Sequence, residues 1–120
     1  MELLSTNVCF DGEHRRYRHT SATLQCAMEF AVFLPPAVLG TNGKPVPVLY
    51  WLSGLTCTDQ NFMQKAGAQK LAAKLGLAIV CPDTSPRGLN LPGENDSYDF
   101  GSGAGFYVNA TEQPWAPTVL

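Results

Sequence analysis

The feature that most constrains this chain is an apolar stretch, Val46 to Leu52, that ends in a glycine-containing turn before a helical pattern. Its seven residues carry no charge and are mostly branched or aromatic. Such a stretch is typical of a strand buried on both faces of a parallel sheet. The sequence therefore predicts an α/β fold organised around this strand.

The turn after this strand, residues 53–58, is a candidate site for negative charge. In a strand–turn–helix unit, the backbone NH groups of Gly54, Leu55 and Thr56 would face the positive end of the helix. That geometry holds an anion, or the oxyanion that develops when a carbonyl is attacked. These residues therefore predict half of a catalytic site.

Composition and charge exclude several classes of protein. The chain has 120 residues, 45% apolar and 15% charged, with a net charge of -2. These values are typical of a globular domain and not of a disordered, membrane-spanning or nucleic-acid-binding protein. No long apolar segment follows Met1, so we expect a cytoplasmic protein. We interpret the basic cluster Arg15, Arg16 and Arg18 as the solvated face of a hairpin, because no aromatic stacking platform accompanies it.

The cysteines and histidines are weak candidates for chemistry. Four cysteines are spread along the chain without a CxxC pair: Cys9, Cys26, Cys57 and Cys81. This spacing indicates reduced thiols and argues against a metal site or a disulfide scaffold. His14 and His19 lie on a predicted hairpin strand, where a surface role is commoner than catalysis.

The first third of the sequence predicts antiparallel strands. Residues 5–10 and 14–20 flank Asp11-Gly12, a strong two-residue turn signal, and predict a hairpin. Residues 24–34 predict the next strand. One face of that strand is wholly apolar and is expected inside: Met28, Phe30, Val32 and Leu34.

A helical pattern follows the turn at residues 53–58. Thr58 or Asp59 can cap it, and it runs to about Leu75, with Gly67 as a break between two helices. Its apolar stripe comprises Phe62, Met63, Ala66, Leu71, Ala72 and Leu75.

A second buried strand follows the helical pattern. Gly76 stands where a C-terminal glycine is expected, and residues 77–82 are apolar. The result is a βαβ unit that places strands 47–53 and 77–82 parallel in one sheet.

Residues 83–105 show no sustained periodicity and are rich in glycine. A run of this length is more often a functional loop or disorder than regular structure. Gly101, Gly103 and Gly105 do not form a nucleotide-binding loop, because Phe106 occupies the last glycine position of that motif. We interpret these glycines as sites of flexibility.

Four motifs follow one another along the chain. They are CAMEFAVFLPP at 26–36, YWLSGLTCTDQNF at 50–62, PDTSPRG at 82–88 and DFGSGAGFYV at 99–108. Together they resemble the S-formylglutathione hydrolases, the esterase D family of the α/β-hydrolase superfamily. The likeness extends to Trp115 and so covers nearly the whole chain.

The resemblance implies an enzyme of glutathione-dependent formaldehyde detoxification. Such an enzyme hydrolyses the small thioester S-formylglutathione to formate and glutathione, and it also cleaves small aryl esters. The resemblance further implies a cytoplasmic location, no cofactor, no nucleic-acid or membrane partner, and a homodimer as one form of the full-length protein.

The resemblance also assigns roles within the turn at residues 53–58. The backbone NH of Leu55 matches one oxyanion-hole donor, in agreement with the loop that the α/β-hydrolase mechanism uses. Gly54, Thr56 and Cys57 match residues that line the substrate site, and Cys57 matches a thiol that makes family enzymes sensitive to thiol reagents. The glycine-rich segment after Asp83 is implied to border the mouth of the site.

The sequence lacks the catalytic triad of the superfamily, which runs Ser, Asp or Glu, then His, with Ser in G-x-S-x-G. Neither Ser53 nor Ser102 has glycines at both flanking positions, and His14 and His19 precede the turn. We therefore expect the N-terminal portion of such a hydrolase, inactive by itself, as one incomplete α/β-hydrolase domain over residues 1–120.

We expect this domain to have three parts. They are antiparallel strands over 1–34, the βαβ unit over 46–82, and a glycine-rich loop and tail over 83–120. With the sheet incomplete, the strand at 46–52 would be an exposed edge.

Two alternative functions stay open at this point. The chain could be a non-catalytic module that docks a partner on the exposed strand edge. Alternatively, Cys57 could act as a nucleophile, because a thiol pKa can fall near a helix N-terminus.

Overall fold

The computed structural model describes residues 1–105 and 111–113, which form one mixed five-stranded sheet with two short helices. The elements are β1 (Glu2–Cys9), β2 (Gly12–Thr20), β3 (Ala27–Leu34), a 3-10 turn (Pro36–Val38), β4 (Val48–Tyr50), α1 (Gln60–Lys65), α2 (Gln69–Leu75) and β5 (Ala78–Pro82). The strand order is β1-β2-β3-β5-β4, with β4 and β5 parallel and the other neighbours antiparallel. The predicted antiparallel strands followed by a parallel βαβ unit are confirmed.

The hairpin between β1 and β2 turns one residue earlier than predicted. Cys9 faces Gly12 across the ladder, so the turn residues are Phe10 and Asp11, with φ of 49° and 60°. Two residues at positive φ are the pattern of a type I′ turn. Gly12 meets a different requirement, because a Cβ there would lie 2.3 Å from the carbonyl oxygen of Leu34.

The core lies on one face of the sheet, under the two helices. Its buried members are Ala31, Phe33, Met63, Ala72, Ile79 and Cys81. The predicted inner face of β3 is therefore wrong: of Met28, Phe30, Val32 and Leu34, only Met28 is buried. The helices cover the other face of β3, which carries Ala31 and Phe33. The Phe30 ring, on the face predicted to be inside, stacks on Tyr17 of β2, with ring centroids 5.3 Å apart.

β3 also begins three residues later than predicted. Residues 21–26 form a tight turn in which the Ser21 NH donates to the carbonyl of Cys26 (2.9 Å) and Gln25 has φ of 53°. A turn closed in this way cannot continue the extended strand toward Leu24.

The helical pattern breaks at Gly67, which has φ of 63°, as predicted. The buried side chain of Gln69 donates to the carbonyl of Met63 and so ties α2 to α1. The predicted apolar stripe is only partly correct, because Leu71 and Leu75 are 60% and 63% exposed. The break restarts the helical register, and α2 turns Ala72 toward the sheet instead.

The end of α2 agrees with the sequence prediction. Gly76 is left-handed, with φ of 64°, and the Leu77 NH donates to the carbonyl of Ala72 (2.9 Å). None of the helices in residues 1–105 and 111–113 combines the length and the apolar character needed to cross a bilayer.

β4 is shorter and more exposed than the predicted strand over residues 46–52. Val48, Leu49 and Tyr50 are 48%, 41% and 68% exposed. Burial on both faces is therefore wrong for this strand in the described part of the chain. The reason is topological: among the strands that the structure describes, β4 pairs only with β5 and lies at an edge of an open sheet, and this confirms the expectation of an exposed edge.

Candidate functional site

The predicted oxyanion loop, residues 53–58, lies between β4 and α1. The Trp51 NH donates to the carbonyl of Val80 (2.9 Å) and extends the parallel pairing one residue past β4. The Trp51 ring stacks on Phe62 of α1, with ring centroids 4.2 Å apart. The loop thus leaves the sheet at the carboxyl end of a parallel strand, where open α/β sheets bind ligands.

Only two of the three predicted backbone donors are open. The Cys57 NH donates to the carbonyl of Gly54 (3.1 Å), which closes a turn, and Thr56 has φ of 65°. The Thr56 NH donates to the carbonyl of Gly103 (2.8 Å), so the prediction that it faces an anion is wrong. Within the described residues, no hydrogen bond engages the NH of Gly54 or Leu55. The donor role expected for Leu55 stays a prediction, with its NH open in this structure.

The start of α1 is capped by Thr58 and not by Asp59. The Gln60 NH donates to Oγ1 of Thr58 (3.2 Å), and the Thr58 NH donates to Oδ1 of Asn61 (2.8 Å). This reciprocal arrangement satisfies two free donors of the first turn. The Asp59 side chain makes no capping hydrogen bond.

Asp59 instead binds the hairpin. Arg16 Nε donates to Asp59 Oδ2 and Arg16 Nη2 donates to Glu29 Oε2, both at 2.7 Å. The hydrogen bond to Asp59 raises the pKa of Arg16. The interpretation of a solvated basic face is therefore wrong for Arg16, whose guanidinium joins β2, β3 and the residue before α1.

Residues 83–105, the post-β5 segment, contact the loop at three backbone positions. Thr84 Oγ1 donates to the carbonyl of Ser53 (3.4 Å), and Arg87 Nη2 donates to that of Cys57 (3.0 Å). The third contact is the bond from Thr56 to Gly103. Sequence reasoning gave no role to Arg87 or Asp83, although the PDTSPRG motif places the two charges four residues apart directly after β5.

The glycines of the post-β5 segment allow close packing, a role that the sequence interpretation did not give them; their flexibility stays a prediction. A Cβ on Gly101 would lie 2.0 Å from the carbonyl oxygen of Glu94, and one on Gly105 would lie 1.7 Å from that of Thr84. Gly103 is buried and has φ of 90°, and its NH donates to Oγ of Ser85 (2.8 Å). Gly101, Gly103 and Gly105 therefore stand where a side chain would collide with backbone or strain it.

Side-chain nucleophiles and bases are not brought together in the described residues. Ser53 is 4% exposed, and its Oγ has no hydrogen-bond partner in the part of the chain that the structure describes. Cys57 is a half-buried free thiol, and no hydrogen bond joins it to a histidine. In residues 1–105 and 111–113, no three His, Cys, Asp or Glu side chains are grouped to hold a metal ion.

The two histidines lie on β2, and both are partly buried. His14 is half-buried, its Nε2 is enclosed without a hydrogen-bond partner among the described residues, and burial lowers its pKa. His19 packs edge-on against Phe30, with ring centroids 5.8 Å apart. The expectation of ordinary surface histidines is therefore wrong for His14.

Comparisons with known proteins agree on one family. The family model "Putative esterase" matches residues 21–119. S-formylglutathione hydrolase from Mus musculus is 56% identical over 115 residues, which are 96% of this chain and 40% of the relative. The Arabidopsis thaliana S-formylglutathione hydrolase is 58% identical over 114 residues, 95% of this chain and 39% of the relative.

A solved structure gives the same result for the fold. The structure of an S-formylglutathione hydrolase from Agrobacterium tumefaciens superposes with a TM-score of 0.88 at 45% identity, over 99% of this chain and 42% of that one. The chain spans about 40% of the length of the curated relatives it matches. It belongs to the esterase family, and its fold matches the N-terminal part of the α/β-hydrolase fold of an S-formylglutathione hydrolase.

Proposed function

We propose that this chain supplies the oxyanion-binding loop of an S-formylglutathione hydrolase, with the backbone NH of Leu55 as a donor. The observation that carries the proposal is the contrast within the loop. The backbone of Ser53, Thr56 and Cys57 is hydrogen-bonded, whereas the NH groups of Gly54 and Leu55 have no hydrogen-bond partner among residues 1–105 and 111–113.

Thioester hydrolysis needs such donors. A serine oxygen adds to the thioester carbonyl, and the tetrahedral intermediate places negative charge on the former carbonyl oxygen. Collapse releases the glutathione thiol with a proton, and water then releases formate from the formyl-enzyme. Donors fixed in advance stabilise the oxyanion without reorganising, and losing one typically lowers kcat by ~10²–10³.

We propose further that the 120-residue chain is inactive by itself. Ser53 is buried, and neither His14 nor His19 is hydrogen-bonded to a serine in the described residues. The nucleophile and the base would come from other residues of the complete protein. The purified chain should hydrolyse S-formylglutathione and p-nitrophenyl acetate at the background rate.

The decisive experiment uses a chimera in which this chain replaces the matching 115-residue stretch of Mus musculus S-formylglutathione hydrolase. We expect the chimera to hydrolyse S-formylglutathione. Leu55→Pro removes the NH and should lower kcat by ~10²–10³, with a small change in KM, because the donor acts mainly on the transition state.

Leu55→Ala is the matched control, because it shortens the side chain and keeps the NH. It should retain kcat within about threefold, as expected for a half-exposed residue that contributes only its backbone. Thermal unfolding of all variants checks that they fold. An inactive chimera, or equal losses in Leu55→Pro and Leu55→Ala, would contradict the proposal.

A second candidate function, partner docking, is favoured by the bare edge of β4. Tyr50 and Leu52 are 68% and 64% exposed, and an unpaired edge is a template for another strand. Tyr50→Lys should then abolish self-association or complex formation by the chain in analytical ultracentrifugation, whereas Leu55→Pro should preserve it. A monomer at every concentration, with no partner bound, would count against this function.

A further inference from the structure

The post-β5 segment and the oxyanion loop leave the sheet side by side. β4 and β5 are parallel neighbours. Residues 53–58 and 83–105 therefore both begin at the carboxyl ends of these two strands. Asp83 directly follows β5, and its NH donates to the carbonyl of Glu29 on β3 (2.9 Å). The first residue of the segment is thereby fixed to the sheet.

The segment's contacts with the loop bracket the proposed donor. On one side of Leu55, the Ser53 carbonyl accepts from Thr84 (3.4 Å). On the other side, the Thr56 NH donates to Gly103 (2.8 Å) and the Cys57 carbonyl accepts from Arg87 (3.0 Å). The peptide planes before and after the Gly54–Leu55 plane, which carries the Leu55 NH, are therefore held by one segment.

Asp83 orients the guanidinium of Arg87. Arg87 Nε donates to Asp83 Oδ2 (2.7 Å) and Nη2 donates to Oδ1 (3.3 Å), a two-point contact that fixes the plane of the guanidinium. The Asp83 side chain is 8% exposed, and its Oδ1 also accepts from the Ser85 NH (3.1 Å). Because this buried carboxylate is itself fixed, it holds the guanidinium of Arg87 in one orientation.

Gly103 permits the close approach that completes the arrangement. A Cβ at this position would lie 3.3 Å from Thr56 Cα and 3.7 Å from Arg87 Nη1, and its φ of 90° is strained for other residues. The loop, Arg87 and the Gly103 backbone therefore form one packed unit.

We infer that Arg87, held by Asp83, is a positioning residue that sets the direction of the Leu55 NH toward the oxyanion. The inference rests on the proposed function, because it states which residue orients the proposed donor, the Leu55 NH. Arg87 acts through the Cys57 carbonyl and does not touch the substrate. A small misplacement of a donor can cost up to about 100-fold in rate, so the arrangement matters for turnover more than for affinity.

The first test measures the loop directly by hydrogen–deuterium exchange, in both the full chain and the chimera. Arg87→Gln removes the charge and the two-point contact, and peptides covering residues 53–58 should exchange roughly tenfold faster. Arg87→Lys keeps one donor and should give an intermediate rate. Arg15→Gln, which removes an arginine bound to Glu13 on its own strand, is the control and should leave these peptides unchanged.

The second test measures catalysis in the chimera. Arg87→Gln should lower kcat roughly 10- to 100-fold with KM within about twofold, and Arg87→Lys should restore part of the loss. Wild-type exchange at residues 53–58 in Arg87→Gln would overturn the inference, as would a loss of cooperative unfolding with kcat and KM changed together. An inactive wild-type chimera would refute the proposed function, and the exchange result would then decide the positioning role alone.

Discussion

Two arginine–aspartate pairs flank the oxyanion loop, and they differ in burial. After the loop, Arg16 and Asp59 meet at 2.7 Å, with 21% and 2% of their side chains exposed. On the side of the post-β5 segment, Arg87 and Asp83 also meet at 2.7 Å, with 38% and 8% exposed. Equal distances do not imply equal energies, because surrounding water weakens the attraction between charges.

The difference shows how stability and positioning are divided between the two pairs. Arg16 also binds Glu29 and so joins two strands to the residue before α1. Removing it leaves a buried carboxylate without its partner. Arg87 is more exposed, and its third contact is the Cys57 carbonyl, so its loss should alter loop geometry more than the free energy of unfolding.

Replacing each arginine by methionine should separate the two roles. Arg16→Met should lower the free energy of unfolding by about 3 kcal/mol, because the buried Asp59 charge is left uncompensated. Arg87→Met should lower it by about 1 kcal/mol, because Arg87 itself is more exposed and Asp83 keeps the hydrogen bond from the Ser85 NH. Urea denaturation of the chain measures both changes.

Arg15→Met is the matched control for this pair of variants. Its partner, Glu13, lies on the same strand, so the free energy of unfolding should change by less than about 0.5 kcal/mol. Equal losses in Arg16→Met and Arg87→Met would remove the distinction between the two pairs.

Local patterns predicted the elements of the fold better than they predicted burial. The break at Gly67, the left-handed Gly76 and the parallel pairing of β4 with β5 follow from short-range signals and are confirmed. The covered face of β3 could not be read from its sequence, because both of its faces carry apolar residues. Which face is buried depends on the side on which the helices pack.

The site shows the same limit. A strand, a glycine turn and a helix were enough to predict residues 53–58 as the candidate loop, but long-range hydrogen bonds decide which amides are open. The carbonyl of Gly103, 47 residues further along the chain, accepts from the Thr56 NH, and Arg16 binds Asp59, 43 residues away in sequence. No periodicity encodes such contacts.

The smallest expected effect is a loss of folding stability in acid, which should arise at His14, near the Arg16–Asp59 pair. Burial lowers the pKa of His14 from 6.5; Asp59 opposes this shift and Arg16 adds to it. The unfolded chain therefore takes up a proton first as the pH falls, so His14 favours the folded state fully above about pH 6.5. That contribution is lost as the pH falls toward the lowered pKa. Because no histidine contacts the Arg87 pair in the described residues, acid should not act there in this way.

Removing the imidazole tests this argument. From about pH 7 to about pH 5, the free energy of unfolding should fall less in His14→Leu than in the wild type, because only the wild type takes up this proton on unfolding. His19→Leu is the control and should keep the wild-type pH dependence. Urea denaturation at each pH gives the slopes. Parallel slopes for the wild type and His14→Leu would show that the acid sensitivity of the chain arises elsewhere than at the Arg16 pair.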